Sequence, residues 1–284
     1  MTADRSSQPD RPVVTLPGDI PMPALGFGTF ELKETVAHDA VAHALKVGYR
    51  HIDTADMYGN HEGVGKAIKE SGVAREEVFL VTKIWHDRLR HDDLQADAER
   101  SLRELRTDYV DQLLLHWPNS DIPMEETFAA TDELVKAGKV RTVGVSNFTE
   151  AHLEKAANAS RQPIAANQVE LHPYLQQPQL REYCGRHGIA VVAYRPIVKG
   201  EVNEDETLSD IAGKHDATPV QVTLAWMLQR GMVTIPRSKS PEHIEQNFQA
   251  LRIELDEDDL QRIDALDRDD RRVTPGFHEF DGPR

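Results

Sequence analysis

The feature that most constrains this chain is an alternation. Short β-branched or apolar runs stand at VVTL (13–16), PALGFGT (23–29), RHID (50–53), VFLVTK (78–83) and VDQLLLH (110–116), then at RTVGVS (141–146), ANQVEL (166–171), AVVAY (190–194) and VTIP (233–236). Segments with helical spacing separate them. The first run, followed by the turn formers Pro17, Gly18 and Asp19, reads as a hairpin strand. Eight strand candidates remain, and strands separated by helices imply parallel units with right-handed crossovers. From residue 24 to about 250 the units average roughly 28 residues, the repeat of a (β/α)8 TIM barrel. An open doubly wound sheet is the rival and needs fewer units. The expected fold is therefore an α/β (β/α)8 TIM barrel with an N-terminal β-hairpin.

Cap signals set the expected helices. Thr35 precedes VAHDAVAHALKVG, whose Val36, Ala40, Val41, Ala44, Leu45 and Val47 form one face, and Gly48 suits the stop. Asp92 precedes a helix with Leu94, Ala98, Leu102 and Leu105 on one side; Thr149 and Pro241 open later helices. The long gap from Tyr194 to Pro236 is expected to hold a loop (199–206) and an extra helix, TPVQVTLAWMLQRG, before strand eight. The tail from Asp267 has turn formers and few apolar residues, and should lie over the barrel as coil. With no linker or low-complexity tract, residues 13–284 read as one domain behind a disordered segment, 1–12.

Composition narrows the classes. A chain of 284 residues is ample for a barrel-sized core. No apolar run approaches a membrane span, and MTADRSSQPDRP lacks the apolar centre of a signal peptide, so a cytoplasmic, monomeric enzyme is expected. The formal charge of −15 argues against nucleic acid or an anionic membrane as partner. The single cysteine, Cys184, excludes an internal disulfide and a multi-cysteine zinc site. H-E-x-x-H spacing is absent, and the 13 histidines read as scattered on polar helices, so no metal is expected. Against 11 Lys and 22 Arg stand 25 Asp and 23 Glu. That balance suits either an ordinary acidic enzyme or a surface adapted to high salt, and activity from low to molar KCl separates the two.

The strand ends carry the functional signal. RHID ends in Asp53, VFLVTK in Lys83, VDQLLLH in His116 and RTVGVS in Ser146, with Asn147 next. ANQVEL carries Gln168, AVVAY ends in Tyr194, and VTIP runs into Arg237, Ser238 and Lys239. Polar side chains at C-terminal strand ends converge on one mouth of a parallel barrel, where such folds carry their chemistry. Lys83 could form a Schiff base, or could tune a neighbouring acid. Tyr58, five residues past Asp53 on the loop DTADMYGN, is the candidate for that acid. A phenol with an ordinary pKa of about 10 is poorly acidic at neutral pH unless a cation stabilises its phenolate, and Lys83, held by Asp53, suits that task.

These residues resemble the aldo-keto reductases over about residues 13–275. GYRHIDTADMYGNHEGVGKAI is similar to the family's G-x-R-x-x-D-T-A-x-x-Y-x-N-E-x-x-V-G signature, and VTKIW, YVDQLLLHWP, VRTVGVSNF, NQVELHPY and IPRSKSPEHIEQN follow in order. Within the family the chain is most similar to the B-type 2,5-diketo-D-gluconate reductases, which also reduce methylglyoxal and other small aldehydes. The resemblance implies a catalytic set of Tyr58 as general acid, Lys83 as its pKa-lowering partner, Asp53 orienting Lys83, and His116 on the substrate carbonyl. It also implies Ser146, Asn147 and Gln168 on a nicotinamide carboxamide, Tyr194 stacked beneath the ring, and Arg195, Arg237, Ser238, Lys239, His243 and Asn247 toward the rest of the cofactor. NADPH is the implied cofactor, with NADH an alternative because His243 stands where the family often has Arg. The segment after Tyr194, Arg195-Pro196-Ile197-Val198-Lys199-Gly200, also departs from the family pattern. Phe30, Trp85 and Trp117 would line a slot for a small carbonyl substrate, and the tail around 274–280 would close one wall.

Two other patterns read as structural. No G-x-G-x-x-G follows a strand, and GNHEGVGKA (59–67) has the wrong spacing for a phosphate loop, so it reads as a helix start. A cofactor-holding redox-sensing protein on the same barrel is the competing class, as is a Lys83 Schiff-base lyase; turnover of methylglyoxal separates the first from a reductase and borohydride trapping tests the second. The acidic body also implies that Arg237, Lys239 and Arg195 make a small positive pocket whose cofactor affinity is weakened at low salt by the whole-protein field.

Overall fold

The computed structural model describes residues 11–280. Strands β1 (Val13–Leu16) and β2 (Ile20–Pro23) pair antiparallel around the Pro17–Asp19 turn, as expected. Eight further strands follow: β3 (Phe27–Gly28), β4 (His51–Asp53), β5 (Phe79–Ile84), β6 (Val110–Leu115), β7 (Val140–Ser146), β8 (Ile164–Glu170), β9 (Ala190–Tyr194) and β10 (Val233–Thr234). They form one parallel sheet in sequence order. A parallel bridge between Leu25 and Thr234 brings its first and last strands together, with Gly26 N–H donating to Thr234 O at 2.9 Å and Thr234 N–H to Ala24 O at 2.8 Å. This is the barrel that the spacing of the runs predicts, in place of the open sheet.

The outer layer is α1 (Glu34–Val47), α2 (His61–Glu70), α3 (His91–Glu104), α4 (Met124–Lys136), α5 (Glu150–Ala159), α6 (Pro178–Arg186), α8 (Pro219–Gln229) and α9 (Pro241–Gln249); α7 (Glu206–Lys214) and α10 (Glu257–Asp264) are additions. Thr149, Thr218 and Ser240 cap α5, α8 and α9 by accepting the backbone N–H three residues on. Two helices start two residues earlier than their cap signals suggest, at Glu34 and His91, and neither has a side-chain cap. On α1, Val36 faces solvent and the neighbouring Ala37 is buried in the core instead. The gap after Tyr194 holds two helices where one was expected. ETLSDIAGK forms α7 behind an Asp205 cap, and TPVQVTLAWMLQRG supplies the ordinary barrel helix α8.

Alternation along each strand decides what faces the barrel interior. On β5, Phe79 and Val81 belong to the apolar cluster inside the barrel, with Leu16 and Met22 of the hairpin, while Leu80 and Ile84 pack against the helices. Lys83 is in phase with Phe79 and Val81, so the strand that builds the core also delivers an ammonium to the mouth. GNHEGVGKA is a helix start as expected: a Cβ on Gly63 would lie 2.2 Å from Glu34 O and one on Gly65 2.3 Å from Leu105 O. Those glycines let α2 pack tightly on its neighbours.

Two expectations change in part. Five of the 13 histidines, His51, His61, His116, His152 and His172, are buried, so these five are not the surface residues the sequence suggests. Arg11 donates to Gly48 O and Pro12 O accepts from Ala24 N–H, which ties down the end of the segment read as disordered; residues 1–10 of it lie outside the described residues. The tail is coil to Phe280, as expected, and its last residues, 281–284, also lie outside them. Among the described residues no helix is long and apolar enough to cross a membrane.

Candidate active site

Asp53, Lys83, His116 and Tyr58 meet at the C-terminal ends of β4, β5 and β6. Lys83 Nζ donates to Asp53 Oδ1 at 2.5 Å and Thr54 O at 2.8 Å, and lies 3.4 Å from Tyr58 Oη. Tyr58 arrives on a single turn of 3-10 helix, Asp56–Tyr58, stopped by Gly59 in the left-handed region at φ 62°. Asn60 fixes that turn from below. Its buried amide donates to Thr29 O and Leu32 O and accepts from Thr54 Oγ1. Asn60 was missed as a functional residue, although it is the N of the signature itself. On the outer side, Arg100 bridges Asp56 and Asp97. Asp56, His61 and Glu104 come close enough to share a cation, and Arg100 sits 3.8 Å from Glu104 as their positive partner.

Burial sets the protonation states. It pushes the Tyr58 phenol well above 10, with the Asp53 carboxylate adding to the shift. Burial thus outweighs the neighbouring charges and Tyr58 keeps its proton, with the Lys83 ammonium 3.4 Å from its oxygen. Burial also lowers the Lys83 pKa, against the raising effect of Asp53. His116 is held well below 6.5 by burial and by the Lys83 charge, so its imidazole is neutral. The arrangement is a protonated phenol beside a buried ammonium and a neutral imidazole, able to give one proton to an oxygen and to face the charge left behind.

A polar shelf lies across the barrel. Ser146 Oγ donates to Gln168 O, Asn147 Nδ2 donates to His116 O and Ser146 Oγ, and Tyr194 Oη donates to Asn147 Oδ1 at 2.9 Å. Gln168 Nε2 donates to Asp53 Oδ2 at 2.8 Å, linking the shelf to the tetrad and leaving its carbonyl oxygen as the free end. Asn147 adopts φ 63°, and so do other non-glycine residues around the mouth: Glu31, Arg195, Val198 and Lys199. A β-branched residue such as Val198 at positive φ is a backbone outlier of the kind that clusters at functional sites.

The remaining cofactor candidates group at β9, β10 and the start of α9. Arg195 Nε is buried with no hydrogen-bond partner among the described residues. Ser240 caps α9, Ser238 Oγ accepts from Ser240 N–H, Asn247 is buried on the helix, and Lys239 and His243 are exposed. Arg237 departs from expectation: Glu31, on the loop after β3, takes its guanidinium and also Lys199 Nζ at 3.2 Å. The positive pocket expected from Arg237, Lys239 and Arg195 thus holds a carboxylate.

The slot expected from Phe30, Trp85 and Trp117 forms around the tetrad. Phe30 lies 5.1 Å from the Tyr58 ring and Trp85 5.0 Å edge-on from His116. The tail closes the far wall. Phe277 meets Trp85, Trp117 and His86, stacking on the last at 4.0 Å. Two buried carboxylates hold it: Glu170 accepts the Arg272 and Val273 N–H groups, and Glu279 accepts from Ser120 N–H, Ser120 Oγ and His152 Nε2.

The Aldo/keto reductase family model matches residues 24–268, and the chain belongs to that family. It is 45% identical over 257 residues to methylglyoxal reductase DkgB of Escherichia coli O157:H7, covering 89% of this chain and 96% of the relative. It is 42% identical over 268 residues to the glyoxal reductase of Bacillus subtilis strain 168, covering 94% and 96%. Among solved structures, a variant of Gox0644 in complex with NADPH superposes with a TM-score of 0.87 at 38% identity, covering 94% of this chain and 98% of that one.

Proposed function

We propose that this protein reduces small aldehydes and α-dicarbonyls of the methylglyoxal type, or keto-sugars such as 2,5-diketo-D-gluconate, to alcohols with NADPH. The observation that carries the reading is the buried chain Asp53–Lys83–Tyr58, 2.5 and 3.4 Å apart link by link, beside a neutral His116 at the barrel mouth. The names of the two curated relatives support the dicarbonyl class, and the NADPH complex of the structural relative supports the cofactor.

The residues fit a dinucleotide. The Ser146–Asn147–Gln168 shelf with Tyr194 offers amide-binding groups beside a ring platform, the unpaired Arg195 Nε awaits an acceptor, and the Ser240-capped N-terminus of α9 offers backbone donors to phosphate. Bound NADPH would supply the hydride. The chain's own work is positional and electrostatic. Phe30, Trp85, Trp117 and Phe277 exclude water from the carbonyl. His116 donates a hydrogen bond to its oxygen, and Tyr58 Oη delivers the proton. As the phenol loses that proton, Lys83 Nζ faces the charge, and Asp53 keeps Nζ aimed.

Oxidation of NADPH with methylglyoxal, followed by absorbance for the wild type and Tyr58→Phe, tests the reading. It expects turnover in the first and retained nucleotide binding without turnover in the second. Near-normal turnover by the variant would remove Tyr58 from the mechanism, and inert wild-type protein that still binds NADPH would favour a redox-sensing binding protein.

A further inference from the structure

The unusual element of the site is Glu31. Two cations from separate loops, Arg237 after β10 and Lys199 after β9, converge on its carboxylate. No element of the fold requires this. The three residues lie beyond the ends of β9, β10 and β3, they meet only through their side chains, and Glu31 is 40% and Lys199 55% exposed. Exposed ion pairs contribute little stability. Yet Glu31 and Lys199 both hold positive φ, at 61° and 55°, where a residue with a Cβ is strained. Two strained loops therefore present opposite charges to each other across the one end of the mouth that carries Arg237.

A carboxylate and a phosphate oxygen are both acceptors for the same guanidinium fork. Glu31 thus stands on Arg237 in the manner of a bound anion. We propose that Glu31 is the protein's internal competitor for the cofactor's phosphate: it occupies Arg237 and Lys199 until phosphate displaces it, and so lowers the affinity for a phosphate-bearing nucleotide relative to its phosphate-free counterpart. The inference rests on the NADPH reading above and adds to it a residue that sets cofactor preference without touching the reacting atoms. It also accounts for the carboxylate in a pocket that the sequence alone makes positive. The charge of the whole body, −15, repels an anion over distances that salt screens, whereas Glu31 acts at contact range on one group.

The test is binding, with no turnover needed. Dissociation constants for NADPH, NADH and adenosine 2′,5′-bisphosphate are measured by calorimetry on the wild type, Glu31→Gln and Glu31→Gly. The glycine adopts positive φ without strain and keeps the loop path, so agreement between the variants isolates the charge from the backbone. Both variants should bind NADPH and the bisphosphate about two- to fivefold more tightly, the size of an exposed ion pair, with NADH changed less. The gain should shrink as KCl rises toward about 1 M, where such pairs are screened. Unchanged constants would reduce Glu31 to an ordinary surface partner and overturn the proposal. Weaker NADPH binding would also overturn it, because Glu31 would then be strapping loops over the bound nucleotide. A wild-type protein that binds neither nucleotide would overturn the cofactor reading as well, whereas loss of the Glu31 effect alone leaves that reading and the Tyr58 result standing.

Discussion

At one end of the barrel mouth Lys83 meets Asp53 at 2.5 Å, with the two side chains 0% and 3% exposed. At the other, Arg237 and Lys199 meet Glu31 with all three side chains between 32% and 55% exposed. Both are ion pairs between residues at strand ends, yet their physics differs. The inner pair has given up its hydration, so its charges act strongly on their neighbours and salt hardly reaches them. The outer set keeps its water, gains little from pairing, and can exchange partners at small cost. A group that must stay aimed at a reacting oxygen belongs in the first environment, and one that must release a cofactor belongs in the second.

The contrast can be broken at its inner end first. Tyr58→Phe should lower kcat by about a thousandfold, within the range for loss of a general acid, while NADPH titrates as before. Asp53→Asn would leave Lys83 buried without its counter-charge; urea unfolding should show a loss of about 3–5 kcal/mol, and a stability unchanged within 1 kcal/mol, about the error of such curves, would mean that the interior is wetter than its burial implies.

His61 extends the same logic to pH. Burial with the nearby Lys83 and Arg100 charges brings its pKa down to about 4, and its ring is tied to Thr82 Oγ1. Between pH 6.5 and about 4 the unfolded chain takes up a proton that the folded chain refuses. Stability from this group is therefore full above 6.5 and falls as pH drops toward 4, by about 3 kcal/mol in all. Comparing unfolding of the wild type and His61→Gln at pH 7 and pH 5 reads this directly, since the variant should lose the part of the slope that His61 carries.

Smaller effects belong to the tail and to the outer charges. Glu279→Gln weakens the clasp on His152 and Ser120, worth about 1–3 kcal/mol for hydrogen bonds to a charged group; the expected result is a severalfold higher KM for methylglyoxal with kcat little changed. An equal fall in kcat would instead tie the tail to the proton transfer. Smallest of all, raising KCl from about 0.05 to 0.5 M should leave kcat within about twofold while the NADPH dissociation constant moves, because only the outer charges lie within reach of screening ions.

The sequence made the inner end legible because strand periodicity and a signature motif both act there. Phe79, Val81 and Lys83 alternate with Leu80 and Ile84, so the direction of Lys83 follows from the same pattern that marks the core. The barrel itself was legible from the spacing of its runs. Glu31 and Lys199 were not, since their meeting depends on left-handed backbone at non-glycine residues, which no composition cue announces. The phenol's raised pKa was hidden as well: charge partners can be named from a motif, but the desolvation that outweighs Lys83 requires the packed interior. The buried histidines escaped for a related reason, because polar neighbours in sequence say little about what covers a ring. His152 looks like a surface residue of α5 until Glu279 arrives from the tail, 127 residues later.

That tail supplies a strand to nothing and a proton to nothing, yet its Phe277 helps decide the shape of the slot. One wall of the slot thus comes from a stretch of chain apart from the strand ends that carry Asp53, Lys83 and His116. Residues between Asp267 and Phe280 can vary around these anchors, Asp267 on Gln176 N–H, Glu279 on His152 and the amides that meet Glu170, while Asp53, Tyr58, Lys83 and His116 stay as they are. Variation in the tail would therefore reach the aromatic wall of the slot before it reached the barrel core, since loops tolerate exchange better than the core does.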